Sequence, residues 1–228
     1  MSSQVRIVLW RHGQTDWNTI NRFQGHTDIP LNPVGIFQAK YAARELAALR
    51  PTKIISSDLQ RTQATATALA ELAGLPIQID SRLRETHGGH WEGRTGDENR
   101  SLDGENFKAW LTGGDLPAGD VGERRSEVAT RAVAAIDEAI ETARAELGDG
   151  EEAVLVFVTH GGTVRCILGE LLELPVEKWG ILGGLSNAAW SILDSHESHI
   201  SGKWFLVEHN AGTIPEPQMG DFDVDVNA

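Results

Sequence analysis

Residues 5–13 read VRIVLWRHG, an apolar run that ends in a cation, an imidazole and a glycine. A run of about four to eight β-branched and aliphatic residues that stops at a glycine indicates a buried strand. In open α/β sheets, ligands bind at the carboxyl ends of the strands. We therefore expect Arg11 and His12 to face a ligand-binding crevice.

The same pattern occurs once more, at residues 154–162, which read VLVFVTHGG. A single histidine after a strand is more often a structural residue that hydrogen-bonds a neighbouring carbonyl. Two strands far apart in sequence that both end in His-Gly favour a shared site instead. We expect His12 and His160 to meet there, with Gly161 beside them.

Short strands and helical periodicity alternate along the chain. Asn32 followed by Pro33 is typical of a helix N-terminus, and the segment 57–60 has a capping-box pattern that places Arg61 in a first helical turn. Further strands are predicted at 53–56, 75–79 and 154–159, and helices at 33–49, 57–73, 123–147 and 163–172.

This alternation predicts an α/β fold with a mostly parallel sheet flanked by helices. Residues 188–193 and 203–209 predict a C-terminal β-hairpin, the antiparallel exception. We expect one domain over residues 1–228, with 220–228 as a frayed tail. Residues 16–30 and 82–93 are expected to be irregular, substrate-facing loops, and 97–121, which shows little periodicity, a cover over the site.

Composition excludes several classes of protein. Acidic residues outnumber basic ones by 33 to 20, which argues against a nucleic-acid-binding surface. No apolar run is long enough to span a bilayer, and we expect no signal peptide before the first strand. Cys166 is the single cysteine, so neither a disulfide framework nor a cysteine metal cluster is expected. We expect a cytoplasmic protein without membrane partners.

Two histidines and two arginines gathered at strand ends and at a helix start suit phosphoryl transfer. A neutral imidazole is a competent phosphoryl acceptor, and the arginine fork binds two phosphate oxygens at once. An arginine in the first turn of a helix opposes the helix dipole, so Arg61 is better explained by a bound anion. A salt bridge to Asp58 is the structural alternative.

Four ordered motifs carry a family resemblance. They are residues 11–15 (RHGQT) with Asn18, residues 56–61 (SSDLQR), residues 83–85 (LRE) followed by 89–93 (GHWEG), and residues 159–162 (THGG) with Arg165. Together they resemble the histidine phosphatase superfamily, also called phosphoglycerate mutase-like, over about residues 5–168. Four motifs in order are far more specific than one RHG triplet.

The resemblance implies a role for each matching residue. His12 would become phosphohistidine, Glu85 would be the general acid and base, and the phosphoryl oxygens would be bound by Arg11, Arg61 and His160. Substrate contacts are expected from Asn18, Gln24, Gly25, His87 and Gly161. For Glu85, a salt bridge to Arg82 or Arg84 is the structural alternative.

No metal or cofactor is expected. His87 and His90 form a His-x-x-His pair near Glu85 and Glu92, but the pair lies on a glycine-rich loop that would not fix its spacing. Arginines that hold the phosphate make a metal unnecessary.

The predicted function is therefore hydrolysis of a small-molecule phosphomonoester. A phosphoglycerate mutase and a non-catalytic phospho-ligand binding module are the alternatives. Members of the mutase branch carry a longer insertion after the catalytic glutamate, and this chain resembles the phosphatases in lacking one. Residues 174–179 and 183–190 resemble a subgroup whose substrate carries a carboxylate, a phosphate and a sugar. The sequence leaves a homodimer open.

Overall fold

The computed structural model describes residues 4–146, 152–195 and 204–212. Six strands form one sheet in the order β3-β2-β4-β1-β5-β6. They are β1 (Val5–Arg11), β2 (Lys53–Ser56), β3 (Ile77–Ile79), β4 (Ala153–Thr159), β5 (Trp190–Ser195) and β6 (Trp204–Ala211). The first four are parallel, and β5 and β6 add an antiparallel hairpin beside β1. The predicted mostly parallel sheet and the terminal hairpin are confirmed.

Helices cover both faces of this sheet. The α-helices are α1 (Asp16–Thr19), α2 (Pro33–Ala48), α3 (Gln60–Ala73), α4 (Gly96–Leu102), α5 (Gly104–Leu111), α6 (Arg125–Glu146) and α7 (Gly161–Leu171). One core joins α6 and α7 to the side chains of Ile7 and Leu9. The other joins α2 and α3 to Val8 and Trp10. Alternate residues of β1 thus face opposite cores, as the period of a strand requires.

The register of the two central strands explains why the two His-Gly corners meet. Arg11 of β1 pairs with Thr159 of β4 in the parallel ladder. His12 and His160 directly follow these partners, so both leave the sheet at the same edge. The backbone N–H of His12 donates to the Thr159 carbonyl at 3.0 Å, which extends the pairing into the site.

Two predictions about where helices begin need correction. Residues 16–19 are helical because Thr15 and Asn18 form a reciprocal capping box. Conversely, the predicted capping box at 57–60 does not form: α3 begins at Gln60 with Leu59 as an N-cap that makes no side-chain cap hydrogen bond. The Ser57 hydroxyl instead lies 3.1 Å from the ring of His160. Arg61 nevertheless lies in the first turn of α3, as predicted.

The expected cover contains two short helices, α4 and α5, rather than irregular chain. Thr95 and Glu98 cap α4 reciprocally, and α5 buries Phe107 in a small cluster with Trp91 and Ala118. Seven- and eight-residue helices are too short to show a clear apolar period. We call residues 96–121 the cap.

The predicted tail at 220–228 and the turn of the hairpin at 196–203 lie outside the described residues. Within the described part of the chain, no helix has the length and apolar character that a membrane span requires.

Candidate active site

His12 is buried at the carboxyl end of β1, 3% exposed. Its Nδ1 lies 2.7 Å from the Gly13 carbonyl oxygen, and because that oxygen can only accept, Nδ1 carries the proton. The lone pair of the neutral ring is then on Nε2. Burial, with the charges of Arg61 and Arg11, holds the pKa of His12 well below its usual 6.5. The imidazole is therefore neutral at neutral pH, with a lone pair on Nε2.

His160 lies against His12, with ring centroids 5.2 Å apart and the planes tilted by 62°. Its Nδ1 accepts a hydrogen bond from Arg61 Nε at 3.3 Å, so its proton is on Nε2, facing the Ser57 hydroxyl. Burial and the nearby Arg61 charge hold the pKa of His160 well below 6.5. The site thus contains two neutral histidines in fixed orientations.

The guanidinium of Arg61 is completely buried. It donates to the Thr27 carbonyl at 2.9 Å and to the Gly25 carbonyl at 2.8 Å, besides His160. The predicted alternative, a salt bridge to Asp58, is wrong because Asp58 pairs with Arg84. Burial lowers the pKa of Arg61 to about 10, so this side chain stays cationic at neutral pH.

Arg11 supplies the second positive charge. One of its terminal nitrogens donates to the Leu185 carbonyl, and its Nε is buried without a hydrogen-bond partner among the described residues. Burial lowers the pKa of Arg11, and the Glu85 carboxylate opposes that shift. A buried, unpaired donor beside a neutral nucleophile is suited to an anionic ligand.

Glu85 projects from the loop that follows β3 toward the start of α7. Its carboxylate accepts hydrogen bonds from the backbone N–H groups of Gly162 at 3.0 Å and Thr163 at 3.1 Å. A Cβ on Gly162 would lie 2.5 Å from Glu85 Oε1, which explains a glycine there. The expected alternative, a salt bridge to Arg82 or Arg84, is wrong because Arg82 pairs with Asp80 and Glu138, and Arg84 with Asp58. We call Arg11, His12, Arg61, Glu85 and His160 the phosphate corner.

Residues predicted to touch substrate adjoin this corner. Gln24 is nearly buried and its Oε1 accepts from the Thr15 hydroxyl at 3.1 Å. Asn18 Oδ1 accepts from Asn187 Nδ2 at 3.2 Å, and that same amide nitrogen lies 3.3 Å from the His12 carbonyl oxygen. Asn187 was not assigned a role from the sequence, although it lies within residues 183–190, and the subgroup resemblance of that segment is the signal that could have indicated it.

Two glycines of the predicted site have steric roles. Gly25 has a φ of +51° and its carbonyl accepts from Arg61, while a Cβ there would collide with the Glu92 carboxylate. A Cβ on Gly161 would lie 3.3 Å from Arg11 Nε. Both positions let charged side chains approach the backbone closely.

Glu92 joins the two irregular loops beside the corner. Its carboxylate accepts from the backbone N–H groups of His26 at 3.0 Å, Thr27 at 3.1 Å and Gly88 at 2.9 Å. The ring of His87 lies 5.1 Å from that of His26, centroid to centroid. His87 therefore lies at the outer side of the loop pair, its side chain 42% exposed.

Arg131 of α6 is the positioning residue that the sequence did not reveal. Its guanidinium donates to the carbonyls of Arg82, Arg84 and Glu85, in each case within hydrogen-bonding distance, and pairs with both oxygens of Glu123. It thereby holds the backbone that carries Glu85. In the sequence, Arg131 is one of several arginines on the predicted helix 123–147, so no pattern distinguishes it.

Within residues 4–146, 152–195 and 204–212, His87 and His90 belong to no metal-ligand cluster. Among the described residues, no group of three or more histidine, cysteine, aspartate or glutamate side chains could hold a metal ion. The Glu92 carboxylate, which lies 3.9 Å from the His87 ring, is instead saturated by backbone N–H groups.

The corner brings a neutral histidine together with two guanidinium groups and a carboxyl group, a combination suited to phosphoryl transfer. The family model of the histidine phosphatase superfamily (branch 1) matches residues 7–211. The chain belongs to this superfamily and is a phosphatase that uses a histidine nucleophile.

Three relatives show which members of the superfamily this chain is similar to. The glucosyl-3-phosphoglycerate phosphatase of Mycolicibacterium vanbaalenii is 41% identical over 193 residues, 84% of each chain. A solved mycobacterial glucosyl-3-phosphoglycerate phosphatase is 38% identical with a TM-score of 0.83, covering 91% of this chain and 99% of its own. A probable phosphoglycerate mutase of Yersinia pestis is 35% identical over 219 residues, 96% of this chain and 98% of the relative.

Proposed function

We propose that this protein hydrolyses glucosyl-3-phosphoglycerate through a phosphohistidine at His12. The observation that carries the proposal is the state of His12: a buried, neutral ring with its Nδ1 proton fixed on the Gly13 carbonyl and two cationic groups nearby. Similarity to the mycobacterial phosphatases supports the choice of substrate.

In the first step, the Nε2 lone pair of His12 attacks phosphorus and the bond from phosphorus to the ester oxygen breaks. Glu85 gives a proton to the leaving alkoxide. Arg11, Arg61 and the His160 ring stabilise the charge on the phosphoryl oxygens in flight. In the second step, water gives a proton to Glu85 and attacks phosphorus. The bond to Nε2 breaks, which releases inorganic phosphate and restores both side chains.

The remaining residues of the predicted site would bind the ester. Asn18, Gln24 and the backbone of Gly25 and Gly161 border the phosphate corner, and His87 lies farther out on the loop pair. Absence of a metal requirement is part of the proposal, so turnover should survive exhaustive treatment with EDTA.

Two incubations test the reaction and the substrate. The enzyme is supplied with glucosyl-3-phosphoglycerate, and separately with 3-phosphoglycerate plus the bisphosphate primer. Free phosphate from the first supports the proposal, whereas 2-phosphoglycerate accumulating in the second would establish a mutase.

The nucleophile is tested by rapid quenching with labelled substrate. A phosphohistidine is lost in acid and survives alkali, and His12→Ala should lower turnover on the order of 10⁴-fold or more because it removes the covalent route. Wild-type turnover in His12→Ala, or an acid-stable adduct, would contradict the assignment.

A further inference from the structure

A cavity lies between α1 and the cap. Its volume is about 230 Å³, smaller than the roughly 300–1,000 Å³ of pockets that take whole drug-sized ligands. It would therefore accept one ring of a ligand rather than the whole. Its lining residues are Trp17, Asn18, Asn21, Arg22, Phe23, Gly96, Asn99 and Phe107.

Two residues of this lining each have one buried side-chain atom without a hydrogen-bond partner among the described residues. Asn99 is fully buried, and although its Nδ2 donates to the Trp91 carbonyl at 3.4 Å, its Oδ1 has no hydrogen-bond partner within the described ranges. Arg22 Nε is likewise buried and unpaired there. Such groups cost free energy in a folded protein unless a ligand or water completes them.

The chemistry of the two atoms selects the ligand. Arg22 Nε is a donor only, and the amide Oδ1 is an acceptor only. An acceptor-only anion such as a carboxylate would satisfy Arg22 and leave Asn99 unpaired. Hydroxyl groups both donate and accept, so a polyhydroxyl ligand completes the two atoms together.

The rest of the lining suits a sugar ring. Trp17, Phe23 and Phe107 supply apolar ring surface for the C–H face of a pyranose. The Arg22 guanidinium is held in place, with Nη1 donating to the Gly93 carbonyl at 2.6 Å and its central carbon 5.7 Å from the Trp17 ring centroid. The Nε donor is thus fixed before any ligand arrives.

Asn18 connects this cavity with the phosphate corner. It lines the cavity and accepts from Asn187 Nδ2, the same nitrogen that contacts the His12 carbonyl. We propose that the cavity is the subsite for the hexose of the substrate, with Arg22 and Asn99 as its hydrogen-bonding residues. This inference rests on the proposed function, in which the phosphate ester carries a glucosyl group.

The test compares two substrates that differ only in the sugar. Asn99→Leu removes the amide acceptor at similar volume, and Arg22→Lys keeps the charge but removes Nε. Each should lower kcat/KM for glucosyl-3-phosphoglycerate about tenfold more than kcat/KM for 3-phosphoglycerate. Ser101→Ala, on the exposed side of α4, is the matched control and should leave the ratio at the wild-type value. An equal loss on both substrates overturns the subsite.

A second readout separates this inference from the choice of substrate. Methyl glucoside is titrated against the fluorescence of the wild type and of Trp17→Phe. Quenching that disappears in Trp17→Phe and weakens in Asn99→Leu supports the subsite even if the wild type does not hydrolyse glucosyl-3-phosphoglycerate, a result that would refute the proposed substrate alone. If that substrate fails and no Trp17-dependent quenching occurs either, the subsite is refuted as well.

Discussion

The phosphate corner and the cap are built in opposite ways. In the corner, the side chains that we propose take part in the reaction come from strand ends, a loop and a helix start. The register of parallel strands brings them together, and His12, Arg61 and His160 are all almost fully buried. The cap rests on a small aromatic cluster of its own and leaves Leu102 and Val121 59% and 63% exposed. We therefore expect the phosphoryl-transfer chemistry to depend on the sheet and the selection of the substrate to depend on the cap.

Polar atoms show the same contrast. In the corner, Arg61 is bonded at Nε and at both terminal nitrogens, and among the described residues only Arg11 Nε is buried there without a partner. Around the cap, Asn99 Oδ1, Trp110 Nε1 and Arg125 Nη1 are buried without partners in the described part of the chain. Arg125 instead lies over the Trp110 ring, 4.3 Å from its centroid. Substitutions in the corner should therefore impair every substrate, and substitutions in the cap should alter the ranking of substrates.

Glu85→Gln should have the largest effect among the following changes. A sugar or glycerate alkoxide needs a proton as it leaves, whereas p-nitrophenolate does not, so kcat should fall about 10²- to 10⁴-fold for the natural class of ester and far less for p-nitrophenyl phosphate. Steady-state kinetics on both substrates measures the split. Equal losses of kcat on the two substrates would show that Glu85 has a structural role and is not the general acid.

The sequence indicated the corner because its residues lie in motifs that end predicted strands. His12 and His160 share the His-Gly pattern, and the parallel alternation of strands and helices placed both at one sheet edge. What the sequence could not show is which residues of other elements support them. Arg131 contacts the catalytic loop from a helix more than forty positions away in sequence, a distance at which local patterning carries no information.

The cap was the least predictable part for a related reason. Its helices are short, and their apolar residues serve a cluster shared with Phe23 and Trp91 from other segments. Likewise, α3 begins without the predicted capping box, since the Gln60 N–H donates to Asp28 Oδ1 of another segment and the Ser57 hydroxyl contacts His160. A tertiary contact replaced the local hydrogen bond that the pattern favoured.

Arg131→Met should have an intermediate effect. It tests whether a residue outside the corner supports the reaction by positioning Glu85. Loss of the guanidinium frees the Arg84 and Glu85 carbonyls, so kcat on glucosyl-3-phosphoglycerate should fall about tenfold, with a smaller loss on p-nitrophenyl phosphate. The loss should disappear in a Glu85→Gln background, because a mispositioned acid matters only while it is an acid.

Arg82→Met is the matched control for Arg131, since Arg82 pairs with Asp80 and Glu138 at a more exposed position. Arg131→Lys should recover part of the activity through a single donor. A loss that persists undiminished in the Glu85→Gln background would show that Arg131 acts on folding or on another residue.

The smallest expected effect is on the pH dependence of the free energy of unfolding. It tests whether water is excluded from the corner. His12 and His160 are buried with pKa values well below 6.5, mainly because burial disfavours the charged ring, and burial also lowers the pKa of the half-buried His26. The unfolded chain takes up protons near pH 6.5 while the folded chain does not. The stabilisation is therefore complete above pH 6.5 and falls as pH decreases below it.

Between pH 7 and pH 6 the loss should be on the order of 1 kcal/mol in the free energy of unfolding. The carboxylates whose pKa values are lowered, such as Asp58 and Glu92, destabilise the fold only at more acidic pH, so this interval isolates the histidines. Chemical denaturation at the two pH values measures the difference, and a His12→Asn, His160→Gln double variant should show a shallower dependence. If the pH dependence of the free energy of unfolding is the same in the double variant, water already reaches the two rings. The corner would then not be closed to solvent, and the contrast with the cap would not hold.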